Sequence, residues 1–293
     1  MNEAPSFSVI VVAYNAEGTI RACLEALERQ TERDFELIVV DSSKDRTAEI
    51  VAHEFPFARL LRSVQRLAPG AARNHGISVA TGDVIAFVDS DCIARPDWLA
   101  ILRRAHRELP AAAIGGAVEP ANPESVVSWG AYFCEFSAWM PRGERRLMRE
   151  IPTCNLSFKR WALEQFGPFD ESGYCSDTAL NWKLTAAGHP PLFLPELRVA
   201  HFNLTRLTRF LRKQVMHGES FARMRCRERS LRLGARALLG AGTPLLPGLF
   251  LGRLVLRLAG SSVWQRWLRS LPVVLVGFCA WSCGEAIGYV KAH

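Results

Sequence analysis

The sequence lacks several motifs that would assign its 293 residues to common nucleotide- or metal-binding classes. After the first apolar run it reads YNAEGTI, with one glycine, so the G-x-G-x-x-G of a Rossmann dinucleotide site is absent. It also contains no P-loop and no HExxH zinc motif. The first apolar run, FSVIVVAY, has no basic segment before it, so we expect a β-strand there and not a secretory signal.

Closely spaced cysteine pairs are also missing. None of the eight cysteines belongs to a C-x-x-C pair, and most of them lie in apolar surroundings. This pattern favours free core thiols in a reducing compartment over a disulfide framework.

Acidic residues are scarce in the last third of the chain. From Arg206 onward there are 15 Lys or Arg residues and 3 Asp or Glu residues, a balance of +12, whereas residues 1–205 hold 21 basic and 26 acidic residues, a balance of −5. The basic segment leads directly into apolar runs, which favours an anionic membrane surface over nucleic acid as its partner.

The first half of the sequence alternates strand and helix signals. Apolar runs predict strands at 7–13, 35–41, 58–63 and 83–88, and helical spacing predicts helices at 17–30, 45–54, 69–80 and 95–109. Strands that are apolar throughout and separated by helices indicate an α/β fold with a mostly parallel sheet covered on both faces. Residues 110–205 are less regular: we expect a helix over 176–188 and two short strands split by Pro195.

Polar side chains follow the predicted strands at the points where they end. Asn15 and Glu17 follow the first strand, Asp41 ends the second, and Asp89 and Asp91 end the fourth. The carboxyl ends of parallel strands meet at one edge of the sheet, where ligands of such folds bind. Paired carboxylates suit Mg²⁺ or Mn²⁺, so we expect a divalent cation at this edge.

The C-terminal third predicts a basic helix over 206–232, followed by two uncharged runs, 237–252 and 271–284. The second run, extended to Val290, reaches the roughly 20 residues needed to cross a bilayer. The first contains Pro244 and Pro247 and is too short unless it is kinked or re-entrant. Whether the two runs span the membrane or form an interfacial hairpin stays open.

Five segments in order resemble family 2 glycosyltransferases: SVIVVAYNAEGTIRACLEALERQ, FELIVVDSSKDRTAEI, GAARNHGISVATGDVIAFVDSDC, FGPFDE and VAHF. The resemblance implies an inverting enzyme of the GT-A fold that uses a nucleotide-diphosphate sugar, and the C-terminal run resembles the membrane segment of a bacterial subgroup. It suggests a GT-A domain over 1–205, a basic juxtamembrane helix over 206–236 and a membrane-associated hairpin over 237–293.

The resemblance also assigns roles to individual residues. Asp91 is expected to bind the metal, Asp89 to lie near the metal or the ribose, and His201 to approach the metal or diphosphate, although a core histidine explains His201 equally well. The expected donor pocket, with UDP as the favoured nucleotide, comprises Tyr14, Asn15, Glu17, Asp41, Arg73, Asp89 and Ser90.

The expected general base is Asp177, which begins the predicted helix at 176. The family has a Glu-Asp pair there, whereas this chain has Ser176 before Asp177, and a further family acid is replaced by Ala179. If Asp177 only caps its helix, Asp170 and Glu171 are the next candidates. Asn155 is expected near the acceptor pocket.

The predicted activity is transfer of a single sugar to a lipid-linked or membrane-proximal hydroxyl at the cytoplasmic face of the cell membrane. The QxxRW signature of processive relatives is absent, since Gln214 is followed by VMHGES. The missing family acids leave a second possibility, a non-catalytic nucleotide-sugar-binding subunit of a polysaccharide or glycolipid assembly. A nucleotidyltransferase is disfavoured because no Gly-rich, Lys-bearing loop follows the first strand.

Overall fold

A computed structural model describes residues 6–292, which divide into two compact units. Unit 1 contains the residues up to Glu119 together with Trp139–His201, and unit 2 contains Pro120–Ala138 and the chain from Phe202 onward. Each unit is described separately below.

The strands of the described chain form one nine-stranded mixed sheet in unit 1. They are β1 (Phe7–Ala13), β2 (Phe35–Asp41), β3 (Arg59–Arg62), β4 (Val84–Asp89), β5 (Cys92–Ala94), β6 (Ala113–Pro120), β7 (Arg146–Leu147), β8 (Leu156–Lys159) and β9 (Leu192–His201). The order is β3-β2-β1-β4-β8-β6-β9-β5, with β7 paired to β9. The strands β1 to β4 pair in parallel, whereas β4–β8, β6–β8, β5–β9 and β7–β9 pair antiparallel.

Helices connect these strands and bury their apolar sides against the sheet. They are α1 (Ile20–Glu28), α2 (Thr47–Glu54), α3 (Pro69–Val79), α4 (Trp98–Glu108), α6 (Arg160–Phe166) and α7 (Ser176–Ala186). In α1, for example, Ile20, Cys23, Leu24 and Leu27 are buried, which is the i, i+3, i+4, i+7 pattern of an amphipathic helix. The alternating α/β half of the fold and the parallel pairing of its strands are confirmed.

One strand differs from the sequence-based expectation. The sequence predicts that Pro195 splits residues 191–202 into two strands, but β9 runs unbroken from Leu192 to His201. The strand β6 pairs with β9, and two further strands pair with it on either side of the proline: β7 with Leu192 and Phe193, and β5 with Val199 to His201. A proline between two pairing segments removes no bond from either of these ladders, so the strand continues.

Unit 2 is helical in the residues described. It contains α5 (Val126–Phe136), α8 (Leu207–Glu228), α9 (Leu233–Gly242), α10 (Leu246–Leu258) and α11 (Trp264–Lys291). A short 3-10 turn, Thr243–Leu245, joins α9 to α10, so the segment containing Pro244 and Pro247 stays helical. Prolines in the first turn of a helix need no N–H partner, which explains the continuity. By length and composition, Leu233–Leu258 and Trp264–Lys291 would each suffice to cross a membrane.

Candidate active site

The strand ends of unit 1 bring acidic residues to both sides of β1. Asp41, the last residue of β2, pairs with Ala13, and Asp89, the last residue of β4, pairs with Val12. Because all three strands run in parallel, both carboxylates lie at the carboxyl edge of the sheet. This arrangement agrees with the expected convergence of Asp41 and Asp89.

The antiparallel pair β5–β9 places Asp91 beside His201. Cys92 lies directly opposite His201 in the pairing register, and His201 Nε2 is 3.4 Å from Asp91 Oδ2. The imidazole is buried, whereas Asp91 keeps 39% of its side chain exposed. A ligand entering this edge therefore meets the carboxylate of Asp91 first, with His201 behind it.

Three potential ligand atoms, from Asp91, Cys92 and His201, lie within 4.8 Å of one another. We did not single out Cys92 from the sequence, although it directly follows the two acids. Burial, with the neighbouring thiol of Cys154, raises the pKa of Cys92 well above its ordinary value. A thiol that stays protonated is a poor ligand, so an Mg²⁺ or Mn²⁺ ion fits the oxygen of Asp91 and the imidazole nitrogen of His201 better.

Arg73 forms an ion pair with Asp89. It projects from α3, is 6% exposed, and places Nη2 at 3.6 Å from Asp89 Oδ1. Its Nη1 donates to Ser176 Oγ at 3.1 Å. Ser176 therefore holds the arginine that faces the strand-end acids.

Close packing fixes the start of α3. A side-chain carbon at Gly70 would lie 1.9 Å from the carbonyl oxygen of Asp170, so only glycine fits there. Asn74 accepts from the backbone N–H of Phe169 at 2.9 Å and donates to the carbonyl oxygen of the same residue at 2.9 Å. These contacts hold Arg73 in position relative to α7.

The pKa of the Asp89 carboxyl group is raised. Its burial is the largest cause; Arg73 and His201 oppose the shift, while the charges of Asp91 and Asp177 add to it. The 32% of its side chain that stays exposed moderates the effect of burial. The interactions show that Asp177 lies close enough for its charge to act on Asp89, and three carboxylates gathered in this way favour binding of a cation.

Asp177 lies in the first turn of α7. Its Oδ2 accepts from both the N–H and the hydroxyl of Thr153 at 3.3 Å, and its Oδ1 accepts from the N–H of Thr178 at 2.9 Å. The residue that precedes the helix is Cys175, in the left-handed conformation, so neither Ser176 nor Asp177 is the N-cap. The bond from the Thr178 N–H to Asp177 Oδ1 serves the first turn of the helix, as the capping explanation expects, while Asp177 Oδ2 binds Thr153, so the carboxylate does not serve the helix start alone.

The other two candidate bases serve the turn before α7. Asp170 accepts from the N–H and hydroxyl of Ser172 at 3.1 and 2.9 Å, and exposed Glu171 accepts from Asn74 at 2.7 Å. The charge of Asp177 contributes to the raised pKa of Asp89, which links this acid to the strand-end cluster.

Asn15 and Glu17 tie the loop after β1 to the loop after β2. Asn15, which has a positive φ of 51°, donates its N–H to Ser43 Oγ at 2.7 Å and accepts from Lys44 N–H at 3.0 Å. Glu17 Oε2 accepts from the N–H of Arg46 at 3.3 Å. Both residues lie at the expected edge, and these bonds shape the loops there.

Asp41 and Tyr14 occupy different depths of the same edge. Asp41 is fully buried and accepts from the N–H and hydroxyl of Ser43. Tyr14 is 39% exposed, and the guanidinium of Arg66 lies 4.4 Å from its ring centroid. An exposed aromatic ring with a basic group above it offers a flat, electropositive surface at the rim. Ser90 is buried in the turn between Asp89 and Asp91.

Asn155 does not belong to the site, contrary to our expectation. It is fully buried, donates to the carbonyl oxygens of Ala117 and Leu197 at 2.9 Å, and accepts from Trp98 Nε1 at 2.8 Å. These bonds join α4, β6 and β9, so the residue is structural. All eight cysteines are free thiols, as expected.

The sequence model for "Glycosyl transferase family 2" matches residues 8–163, more than half of the chain. The chain belongs to this family of glycosyltransferases. AmsB, an amylovoran biosynthesis glycosyltransferase of Erwinia amylovora, is 38% identical over 92 residues, which cover 29% of this chain and 31% of AmsB. The chain aligns with less than a third of the length of several curated relatives.

Solved structures confirm the GT-A fold. The mannosyltransferase PcManGT of Pyrobaculum calidifontis, in complex with GDP-Man and Mn²⁺, has a TM-score of 0.63 and 20% identity, covering 97% of this chain and 88% of that one. A fragment of TarS from S. aureus, in complex with UDP-GlcNAc, has a TM-score of 0.57 and 17% identity, covering 96% of this chain and 90% of that one.

Proposed function

We propose that the chain is an inverting, metal-dependent glycosyltransferase that moves one sugar from a nucleotide-diphosphate sugar to an acceptor hydroxyl. The observation that carries the proposal is the position of Arg73, which lies 3.6 Å from Asp89 and donates at 3.1 Å to Ser176, the residue before Asp177. Sugar transfer requires a positive charge near the departing diphosphate, which Arg73 supplies. It also requires a carboxylate that takes the proton of the attacking hydroxyl, which is Asp177.

Asp91 and His201 are the residues we propose to hold Mg²⁺ or Mn²⁺, with Asp89 beside them. The ion would supply Lewis-acid stabilisation of the negative charge on the diphosphate. The 3.4 Å separation of the Asp91 and His201 ligand atoms, and the surplus of carboxylates around them, support this choice. The Mn²⁺ in the PcManGT complex is a precedent in a protein of the same fold.

Asp177 is the general base of the proposed reaction. The acceptor oxygen attacks the anomeric carbon as its proton passes to the Asp177 carboxylate, and the bond from that carbon to the diphosphate oxygen breaks with its electron pair on the oxygen. Attack opposite the leaving group inverts the configuration. Arg73, buried and held by Ser176, is positioned to bind the diphosphate with a fixed positive charge.

A UDP-hexose is the donor that we propose. The carboxylate of Asp41, which ends β2, is a suitable acceptor for the N3–H of uracil, once it exchanges its bonds to Ser43 for the base. Tyr14 directly follows Ala13, the residue that pairs with Asp41, and its exposed ring is proposed to pack against the nucleotide. The TarS complex with UDP-GlcNAc supports a UDP-sugar, and PcManGT with GDP-Man makes GDP-sugars the first alternative.

The acceptor that we propose is lipid-linked or close to a membrane, and the reaction takes place at the cytoplasmic face, where nucleotide sugars are made. The two long apolar helical segments of unit 2 and its basic residues support a membrane location. The match to AmsB supports a role in building a polysaccharide or glycolipid.

The test is a screen of UDP- and GDP-sugars with the full chain, Mn²⁺ and a membrane-lipid acceptor extract, followed by NMR of the product. We expect transfer from one donor with the anomeric configuration inverted. A product with retained configuration would refute the assignment of Asp177. Donor binding without hydrolysis or transfer over the whole panel would favour the nucleotide-sugar-binding subunit instead.

A further inference from the structure

Unit 2 exposes a large apolar surface that its own packing leaves uncovered. In α9, α10 and the 3-10 turn between them, four leucines are each at least 75% exposed: Leu233, Leu238, Leu245 and Leu256. On α11 a second set follows helical spacing along one side of the helix: Leu268, Leu275, Val276, Cys279, Cys283, Ile287 and Val290. We call these two sets together the apolar face of unit 2.

The opposite side of α11 packs closely against α8. An added side-chain carbon would lie 2.7 Å from Phe210 at Gly277, 2.2 Å from the carbonyl oxygen of Val215 at Gly284, and 2.5 Å from that of Glu219 at Gly288. The contact positions advance along both helices in the same direction, so α8 and α11 run in parallel and side by side. The glycines permit this close approach.

The charges of α8 determine which environment surrounds this helix pair. Arg209, Arg212, Arg223 and Arg227 of α8 are exposed, and Lys213 pairs with Glu135 at 2.9 Å. Charged side chains of this number are excluded from the hydrocarbon core of a bilayer. The part of α11 that runs beside α8, from Gly277 to its end, therefore lies outside the core as well.

The remainder of α11 is too short to cross a membrane alone. Residues 264–276 are 13 residues, which at about 1.5 Å each extend about 20 Å, against a core of about 30 Å. Although α11 has the length and composition of a spanning helix, its packing against a charged helix opposes that role.

The segment formed by α9 and α10 accompanies α11 in the opposite direction. Arg236 of α9 donates to the carbonyl oxygen of Tyr289 through Nε at 3.3 Å and Nη2 at 3.1 Å. In α10 the ring of Phe250 lies 5.4 Å from that of Phe278. These contacts place the segment alongside α11, which itself runs beside α8. Because the charged helix α8 stays outside the bilayer core, a segment aligned with it does not cross the bilayer.

Exposed arginines border the apolar face. They lie before α9, within α10 and at the start of α11: Arg229, Arg232, Arg253, Arg257, Arg266 and Arg269. Apolar side chains flanked by exposed arginines match the interface of an anionic bilayer, where lipid tails meet negatively charged headgroups. A second protein copy would not account for the basic border.

We propose that unit 2 is a monotopic anchor: α9, α10 and the outer side of α11 lie in the plane of one leaflet of an anionic membrane, and no helix crosses it. The inference rests on the proposed function, which places the acceptor at the membrane, and it specifies how the protein is held there. The polar helix α8 then lies on the aqueous side of α11.

Depth-dependent fluorescence quenching tests the orientation with the full chain on vesicles of phosphatidylcholine with 30% phosphatidylglycerol. A bimane label is attached singly at Cys279, or at cysteines introduced as Leu268→Cys and Val290→Cys in a Cys279→Ser, Cys283→Ser background. We expect equal, shallow depths of roughly 5–10 Å at all three positions. A label at Cys279 near the bilayer centre with shallow labels at the other two sites would overturn the proposal in favour of a spanning helix.

Vesicle flotation tests the apolar face itself. The double variant Leu238→Glu, Leu256→Glu is expected to bind these vesicles at least tenfold more weakly than the wild-type chain. The wild-type chain is expected to prefer these vesicles over pure phosphatidylcholine. The matched control is Leu147→Glu, at a leucine of unit 1 that is 65% exposed. Unchanged binding of the double variant, or concentration-dependent dimers in place of vesicle binding, would refute the anchor.

A thermal-shift assay with Mn²⁺ and nucleotide sugar separates the two proposals. If unit 1 is folded and binds the donor, the donor raises the melting temperature of the double variant as much as that of the wild-type chain. Loss of vesicle binding with an intact donor shift supports the anchor, whereas vesicle binding without any donor shift leaves the anchor in place and contradicts the proposed donor site.

Discussion

Replacing Asp177 with asparagine removes the proposed base while preserving its shape. The carboxylate accepts two bonds of 3.3 Å from Thr153 and one of 2.9 Å from Thr178, and the amide oxygen of asparagine keeps part of this set. We expect a stability change within about 1 kcal/mol, since ordinary hydrogen bonds contribute about that much each. A general base contributes about 10²–10⁴-fold to a rate, so transition-state stabilisation should fall by about 3–5 kcal/mol.

The assay measures kcat for sugar transfer together with the donor Kd by calorimetry. We expect kcat of Asp177→Asn to fall at least 100-fold while the donor Kd changes less than about threefold, because the base acts on the acceptor. The control is Asp170→Asn, whose carboxylate holds Ser172 in the neighbouring turn. A fall of less than tenfold in Asp177→Asn, or an equal fall in the control, would refute the assignment.

Three further predictions concern stability and are measured by urea unfolding. Asn155→Ala leaves three buried hydrogen-bond partners unpaired and should lower the unfolding free energy by about 3 kcal/mol or more; a loss under 1 kcal/mol would contradict the structural role. Gly284→Val places a side chain against the backbone of α8 and should cost about 2 kcal/mol, whereas Gly252→Ala, which meets open space, should not destabilise the chain. Burial lowers the pKa of His106 to about 3, so between pH 7 and 5 the unfolded chain takes up a proton that the folded chain does not. The unfolding free energy should therefore fall by about 2 kcal/mol over this pH range, and His106→Gln should remove this contribution to the pH dependence.

The sequence predicts the parallel half of the sheet well because its strands are local and wholly apolar. A helical pattern separates each of these strands from the next, so the presence of β1 to β4 and their parallel direction follow from short-range patterns. The acids at the ends of these strands converge for the same reason. Asp41 and Asp89 lie at the same edge because their strands both pair in parallel with β1.

The antiparallel half depends on pairings between distant segments, which no local pattern specifies. The strand β8 pairs with β4 across more than 60 residues, and β9 continues through Pro195 because its partners change there. Asn155 was misassigned because a polar residue in a loop gives the same sequence signal whether it faces a ligand or bonds three core groups. Cys92 was not singled out because its closeness to His201 arises from the β5–β9 register.

The helices of unit 2 illustrate a related limit. Length and composition identify α11 as apolar enough to span a membrane, yet the sequence does not reveal that a charged helix covers one side of it. That fact comes from the packing of Gly277, Gly284 and Gly288 on α8. The spacing of these glycines is visible in the sequence, but their partner is not.

The central claim is that the acids at the strand ends hold a divalent cation, and direct Mn²⁺ binding tests it. Electron paramagnetic resonance of free Mn²⁺, titrated with the full chain in the presence of UDP, counts bound ions without requiring activity. We predict one site in the wild-type chain, at least tenfold weaker binding in Asp91→Asn, and unchanged binding in the control Asp97→Asn, at an exposed acid six residues away. Equal Mn²⁺ affinity in the wild-type chain and Asp91→Asn would contradict the account.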